Sequence, residues 1–132
     1  MSTDIRIEEL WQKVCELERQ NSSWKSKDLL KTIITIRPDH ASARVTLARI
    51  YMTDGDIESA LLQANFAYQL NPEIPQLAKL LADLYFMSGL YDRALPLYQV
   101  AIRAGDKDRI TAERLVTCKN IVASEAAEEK EQ

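Results

Sequence analysis

Two stretches of this chain share one pattern: LARIYMTDGDIESALLQANFA at residues 47–67 and LADLYFMSGLYDRALPLYQVA at residues 81–101. The identical residues all lie in one register of 34 residues: Leu47 and Leu81, Ala48 and Ala82, Tyr51 and Tyr85, Gly55 and Gly89, Ala60 and Ala94, Ala67 and Ala101. They occupy small, aromatic and glycine positions, where chance agreement is less expected than at common surface residues. The chain is therefore built from an internal structural repeat.

Each repeat has the pattern of two helices joined by a tight turn. In the first repeat, apolar residues recur at helical spacing over residues 41–51 and stop at the sequence TDGD. Gly55 suits the left-handed conformation that ends one helix, and a neighbouring aspartate can cap the next. The following helix, about residues 57–70, carries small residues on one face, which lets two helix axes approach closely. The second repeat predicts helices over about residues 76–87 and 91–103 in the same way.

The register continues beyond these two repeats in both directions. Backwards, it predicts a degenerate unit at about residues 7–40, with a turn at Asn21-Ser22-Ser23. Forwards, it predicts a capping helix at residues 107–127, followed by an acidic tail, 128–132, with too little apolar surface to stay ordered. The sequence therefore predicts a single domain, residues 1–127, composed of units 7–40, 41–74 and 75–106 and the capping helix.

The overall composition favours an ordinary globular domain. Of 132 residues, 46% are hydrophobic and 28% are charged, and the net charge is −3. This mild negative charge does not attract phosphate backbones, so we expect no nucleic-acid partner. No stretch approaches the ~20 apolar residues of a membrane span, and the first residues lack a signal-peptide pattern. We expect a cytoplasmic protein without membrane insertion.

The sequence offers few residues for catalysis or metal binding. Cys15 and Cys118 lie near opposite ends of the chain, so we expect two small apolar fillers rather than a disulfide. Together with His40 they show no close metal-ligand spacing. A catalytic triad and a glycine-rich phosphate loop are also missing from the sequence. We therefore expect no metal, no cofactor and no enzymatic activity.

The repeated residues resemble the tetratricopeptide repeat. The residues that carry the resemblance are Leu47-Ala48-x-x-Tyr51, Gly55-Asp56, Ala60, Ala67 and Pro72, followed by Leu81-Ala82-x-x-Tyr85, Gly89, Ala94, Tyr98 and Ala101. The resemblance implies an all-α, right-handed α-solenoid of about three helix-turn-helix units plus a C-terminal capping helix. It also implies a concave groove lined by the first helix of each pair.

Placing this chain in that arrangement predicts a groove with an unusually apolar lining. The residues that we expect to contact a partner there are Trp11, Val45, Arg49, Met52, Lys79, Asp83, Phe86 and Met87. Methionine can repack around different side chains, and the charged members can orient a peptide by hydrogen bonds. Core filling or contact with another copy is the alternative for the apolar members, and solvated surface for the charged ones. Trp24, near a helix start, is expected to pack beneath its turn.

The resemblance implies a protein–protein interaction module, an adaptor or chaperone that binds a peptide segment of a partner protein. The family's clamp for heat-shock chaperone tails needs Lys, Asn and Arg where this chain has Trp11, Cys15, Thr46, Gln76 and Leu80, so we expect that activity to be absent. The size and layout are also similar to bacterial chaperones of type III secretion translocators. Self-association is the alternative, as a homodimer or as a scaffold subunit of a bacterial secretion or envelope assembly.

Overall fold

The computed structural model describes residues 3–131, and all the regular secondary structure within them is helical. The helices are α1 (Thr3–Arg19), the 3-10 helix η1 (Ser23–Ser26), α2 (Lys27–Ile36), α3 (Ala41–Thr53), α4 (Ile57–Leu70), α5 (Leu77–Met87), α6 (Tyr91–Arg103) and α7 (Arg109–Glu131). The predicted all-α architecture of helical pairs followed by a C-terminal helix is confirmed. No helix in the described part of the chain has both the length and the apolar character needed to cross a bilayer.

The helices form two compact units, Met1–Pro72 and Glu73–Gln132, of which residues 3–131 are described. Unit 1 contains α1 to α4 with η1, and unit 2 contains α5, α6 and α7. The boundary after Pro72 lies close to the repeat boundary that the sequence predicts at residue 74.

An apolar core holds the first three helices of unit 1 together. Val14 of α1, Leu30 and Ile33 of α2 and Leu47 of α3 are all buried in it. Burying a side chain of this size contributes roughly 1.5–3 kcal/mol relative to leaving it exposed. The degenerate first repeat is therefore a true helical pair, and its turn lies where the sequence predicts it, with Asn21 at φ 56°.

The α3–α4 hairpin of unit 1 uses the turn chemistry that the repeat predicts. Gly55 ends α3 at φ 82°, a conformation that costs glycine little. The carboxylate of Asp56 then accepts the backbone N–H of Ser59 at 3.1 Å and caps α4. Ala60, Ala64 and Ala67 are fully buried along one side of α4. Their small side chains let α3 and α4 approach each other closely.

Unit 2 packs α5, α6 and α7 around a single aromatic residue. Tyr98 of α6 is fully buried with Ala82 of α5, Ala94 of α6 and Cys118 of α7. Both α5 and α7 thus pack against the same face of α6. The C-terminal helix belongs to the folded core of this unit, as its predicted capping position requires.

The C-terminal helix is longer than the sequence predicts. It runs from Arg109 to Glu131, whereas the predicted capping helix ends at residue 127 and is followed by a disordered tail. Residues 128–131 are helical because the run EAAEEKE consists of strong helix formers, which extend a helix that the core has already nucleated. Gln132 of the predicted tail and Met1 and Ser2 of the predicted domain lie outside the described residues.

Candidate functional site

The eight residues predicted to contact a partner divide equally between the two units. Unit 1 contains Trp11 on α1 and three residues of α3, and unit 2 contains four residues of α5. The α3 residues are Val45, Arg49 and Met52, and the α5 residues are Lys79, Asp83, Phe86 and Met87. Their environments differ so strongly that each unit offers a different kind of surface.

Trp11 packs within unit 1, and Val45 is buried. Trp11 is half-buried against the unit 1 core, and its ring lies 4.9 Å from the ring of His40. Val45 is only 4% exposed, which corrects its expected place on an open groove wall. It belongs to a run of buried residues from Ala43 to Ala48, so the N-terminal half of α3 is enclosed on more than one face.

His40 acts as the N-cap of α3. Its Nδ1 accepts the backbone N–H of Ala43 at 3.0 Å, which requires that nitrogen to be unprotonated. Burial lowers the pKa of His40, because desolvation disfavours the charged imidazolium. The histidine is therefore a structural cap whose ring also contacts that of Trp11.

Arg49 lies on an open surface of unit 1, beside a pocket of about 290 Å³. The floor of this pocket contains the buried residues Thr46 and Ile50 of α3, and its far wall contains Glu18 at the end of α1. Hydrogen bonds and ion pairs to the Arg49 guanidinium are absent within residues 3–131. An unpaired guanidinium with five N–H donors is thus presented at the pocket rim.

Trp24 provides the exposed aromatic wall of this pocket. Its side chain is 65% exposed, which corrects the expectation that it packs beneath its turn. Residues 23–26 form a 3-10 helix before α2 begins, and this extra turn directs the indole outwards. The repeat pattern gives no signal for this outcome, because the described later repeats contain no 3-10 helix at the corresponding position.

A second carboxylate of the pocket is already neutralised. Asp54 accepts a hydrogen bond from Nζ of Lys27 at 2.6 Å, and this bond raises the pKa of Lys27. The same ammonium lies 5.2 Å from the centre of the Tyr51 ring. The remaining charged residues that line the pocket are Glu18 and Arg49, and the ammonium of Lys25 lies 5.3 Å from the centre of the Trp24 ring.

In unit 2, the charge of Lys79 is used within the protein. Its Nζ donates to Asp108 at 2.8 Å and lies 3.8 Å from Asp106. Asp108 also accepts the backbone N–H of Ile110, so Lys79 fixes the segment that begins α7. These bonds lower the pKa of Asp108 and raise that of Lys79.

Asp83 is likewise engaged by its own unit. Its Oδ1 accepts the hydroxyl of Tyr98 at 2.6 Å and the guanidinium of Arg114 at 2.7 Å. Burial, together with the bond to Asp83, raises the pKa of Tyr98. This triad joins α5, α6 and α7, so the carboxylate stabilises the unit and has little capacity left for a ligand.

The two apolar members of unit 2 differ in exposure. Phe86 is half-buried, with its ring 4.9 Å from the Arg114 guanidinium and 5.3 Å from the ring of Tyr91. Met87, the next residue, is 52% exposed. Of the two, Met87 is the side chain that can contact a partner.

Within residues 3–131, His, Cys, Asp and Glu side chains do not cluster in threes that could hold a metal ion. Cys15 and Cys118 are both thiols, and burial raises the pKa of each. Thiols of this kind are weak nucleophiles.

The geometry therefore defines an all-helical repeat protein over the described residues. Residues 45–109 match the family model described as tetratricopeptide repeat. The chain belongs to the tetratricopeptide repeat family, whose stacked hairpins serve as scaffolds for protein–protein interaction. No curated protein matches the chain.

Three solved structures illustrate the similarity of fold. The first TPR of Spaghetti (RPAP3) bound to HSP90 peptide SRMEEVD is 14% identical, with a TM-score of 0.72 over 89% of this chain and 95% of that chain. The Sgt2 TPR domain from Aspergillus fumigatus is 18% identical, with a TM-score of 0.71 over 92% and 82%. A T3SS complex from Aeromonas hydrophila is 12% identical, with a TM-score of 0.68 over 99% and 87%. At these identities the likeness concerns the fold alone.

Proposed function

We propose that this chain is an adaptor or chaperone-like module that binds an extended segment of a partner protein. The pocket of unit 1 that Trp24 and Arg49 border is the principal contact. The observation that carries the proposal is that an unpaired guanidinium and a 65% exposed indole line one pocket, together with the buried residues Thr46 and Ile50. Such a combination can hold one side chain of a segment while donating hydrogen bonds to its carbonyl groups.

The size of the pocket favours a peptide side chain over a free small molecule. Sites for drug-sized ligands commonly enclose about 300–1,000 Å³ and bury most of the ligand. The pocket of about 290 Å³ is at the lower limit of that range and is open to solvent. One or two side chains of a longer segment fit these dimensions, with the rest of the segment lying outside.

Two further sequence-predicted residues remain in the proposal as secondary contacts. Met52 of α3 is half-buried, and Met87 of α5 is 52% exposed. Lys79, Asp83 and Phe86 are assigned to the internal contacts of unit 2. The heat-shock clamp stays outside the proposal, although one structural neighbour holds an HSP90 peptide. Thr46 and Leu80 are buried here, at two of the positions where that clamp needs polar side chains.

We assign the protein to the cytoplasm, and the state of its cysteines supports this. Cys118 is a fully buried thiol between α6 and α7, and Cys15 is a second thiol. A reducing compartment keeps such thiols in this form.

The test selects peptides from a random phage-displayed library against the full chain. Selected peptides should shift the Trp24 emission to shorter wavelength, because the exposed indole becomes covered, and the Trp24→Phe variant should lose that shift. Arg49→Ala should weaken binding about tenfold, which corresponds to about 1.4 kcal/mol. Arg103→Ala, an exposed arginine of α6, is the matched control and should bind normally.

Two results would overturn the proposal. The first is a selection without enrichment over an unrelated protein, and the second is enriched peptides whose binding ignores both Arg49 and Trp24. Sedimentation of the unliganded chain addresses self-association. A stable dimer that Trp24→Asp dissociates would assign the pocket to a second copy instead.

A further inference from the structure

The solvent side of α4 carries an apolar stripe that the hairpin core does not use. Leu62, Phe66 and Leu70 are 65%, 42% and 39% exposed, at intervals of four residues. Residues at this spacing lie above one another on a helix, here over about 12 Å. The buried alanines occupy the opposite side of α4, so these three side chains are surplus to the packing of the hairpin.

The surroundings of the stripe contain almost no charge. Glu58 is the one charged residue of α4, and the polar neighbours of the stripe on this helix are Ser59, Gln63, Asn65 and Gln69. Centres of protein interfaces are depleted of charged residues in the same way, whereas free helix surfaces are commonly charged. The composition of this face is that of an interface.

One cation is fixed at the centre of the stripe. The guanidinium carbon of Arg44 lies 3.8 Å from the centre of the Phe66 ring. Its Nε donates to the carbonyl of Pro38 at 2.7 Å, and one terminal nitrogen donates to Oε1 of Gln63 at 2.8 Å. These contacts hold the guanidinium rigidly against the aromatic ring.

The charge of Arg44 is not compensated within the protein. Both acceptors are neutral, and the residue is 8% exposed. Among residues 3–131, a carboxylate paired with Arg44 is absent, and desolvation lowers the pKa of its guanidinium. Buried charges are ordinarily paired, so this cation is a favourable position for an external anion.

Three other occupants fit the stripe less well. A second copy would meet it across a two-fold axis near Phe66, which would bring two Arg44 guanidinium groups together. An anionic membrane surface needs several exposed cations, whereas the one cation at the stripe, Arg44, is buried and Glu58 is nearby. An added β-strand needs unpaired backbone groups, which a helix face does not provide.

We propose that the solvent side of α4 docks an amphipathic helix of a partner protein, whose apolar side chains cover Leu62, Phe66 and Leu70 and whose carboxylate pairs with Arg44. This surface is separate from the pocket at Trp24 and Arg49. The chain therefore has a second interaction site, which favours acidic amphipathic helices.

The experiment selects from a phage-displayed library of helical peptides with a fixed leucine stripe and varied flanking positions, using the full chain as bait. Enriched peptides should carry Asp or Glu beside the stripe. Replacing that acid by Gln in an enriched peptide should weaken its binding about tenfold. Leu62→Lys in the chain should abolish binding without changing thermal unfolding, since Leu62 is largely exposed. Val116→Lys, an exposed aliphatic position of α7, is the matched control and should bind normally.

Pairing with Arg44 is tested by a double-mutant cycle. In the Arg44→Gln chain, the peptide's Glu-to-Gln change should no longer weaken binding. If that variant fails to fold, the Leu62→Lys result and a loss of affinity with added salt carry the test.

The proposal is overturned by any of four outcomes: no enrichment, enrichment without acids, binding that survives Leu62→Lys, or a self-dimer that Leu62→Lys dissociates. Vesicles of phosphatidylglycerol that bind the chain through Leu62 in place of the peptides would overturn it too. The Arg49→Ala variant should bind these helical peptides normally, which separates this test from that of the pocket.

Discussion

Asp56 and Leu90 occupy the same N-cap position in two successive helical hairpins, with closely similar backbone angles. Asp56 has φ −87° and ψ 77°, and Leu90 has φ −93° and ψ 68°. The carboxylate of Asp56 accepts a backbone N–H of α4, whereas Leu90 offers no side-chain bond to α6. The backbone geometry of the N-cap is therefore repeated, and its hydrogen bond is made in one hairpin alone.

Removing the cap in the first hairpin should destabilise the protein. Asp56→Ala should lower the free energy of unfolding by about 1 kcal/mol, because the N–H of Ser59 loses its acceptor. Hydrogen bonds from the side chain and then from the backbone N–H of Ser59 lower the pKa of Asp56, so the difference between variant and parent should shrink in acid as this carboxylate protonates. Urea denaturation at neutral and acidic pH measures both effects. An equal loss at both pH values would contradict this account.

Adding a cap in the second hairpin should stabilise the protein. Leu90 is 39% exposed and already has the backbone conformation of a cap, so Leu90→Asp should gain about 0.5–1 kcal/mol. Leu90→Asn should give a similar gain, which distinguishes a capping bond from a charge effect. A loss of stability in both variants would show that the exposed leucine makes a contact more valuable than the cap.

The hydroxyl of Tyr98 should account for much of the stability of unit 2. Tyr98→Phe keeps the buried ring but removes the bond to Asp83, and hydrogen bonds to charged groups contribute about 1.5–3 kcal/mol. Tyr68→Phe, at a half-buried tyrosine of α4, is the matched control and should cost little. Thermal unfolding followed by circular dichroism compares the two, and equal midpoints would refute the role of the hydroxyl.

Mild acid should destabilise unit 1 through His40. The pKa of this histidine is lowered in the folded state, so its contribution is complete above its unfolded pKa of about 6.5 and is lost as pH falls through the folded value. His40 is the one histidine of the chain, so it dominates any slope in this window. His40→Asn should retain the cap and flatten the slope, as measured by denaturation at several pH values between about 7.5 and 5. A slope that survives this change belongs to other groups.

Enlarging a small buried residue should disrupt the α3–α4 contact. Ala60 is fully buried, so Ala60→Leu should lower the free energy of unfolding by roughly 1–3 kcal/mol through overpacking. Ala112→Leu, at an exposed position of α7, makes the same change of side chain and should be nearly neutral. Matching unfolding midpoints for these two variants would move Ala60 out of the helix contact.

The sequence predicts the fold well because the repeat depends on local chemistry. Small residues recur at helical spacing, and glycine marks the turns that follow α3, α5 and α6, so one register locates the helical pairs. The predicted end of the C-terminal helix was wrong. The prediction considered the lack of apolar residues in this segment and left out the helix propensity of the run EAAEEKE. Helix propensity is enough to extend a helix that is already nucleated.

The residues available to a partner are less predictable than the fold. Their availability depends on hydrogen bonds and ion pairs between residues that are far apart in the sequence. Lys79 and Asp83 are correctly placed on α5, but Asp108, Tyr98 and Arg114 engage them from other helices. The register predicts the helix on which each residue lies, but it does not predict which residues of other helices the side chain contacts. Trp24 was missed for a related reason, since the 3-10 turn that exposes it leaves no trace in the repeat pattern.

Both tryptophans of the chain belong to unit 1, at residues 11 and 24. Fluorescence excited selectively from tryptophan therefore observes unit 1 alone, whereas far-ultraviolet ellipticity reports on every helix of the chain. The two signals, recorded on one unmodified sample during denaturation, form an internal comparison. Superimposable curves mean that both halves melt in a single cooperative step, and separated curves give each half a stability of its own.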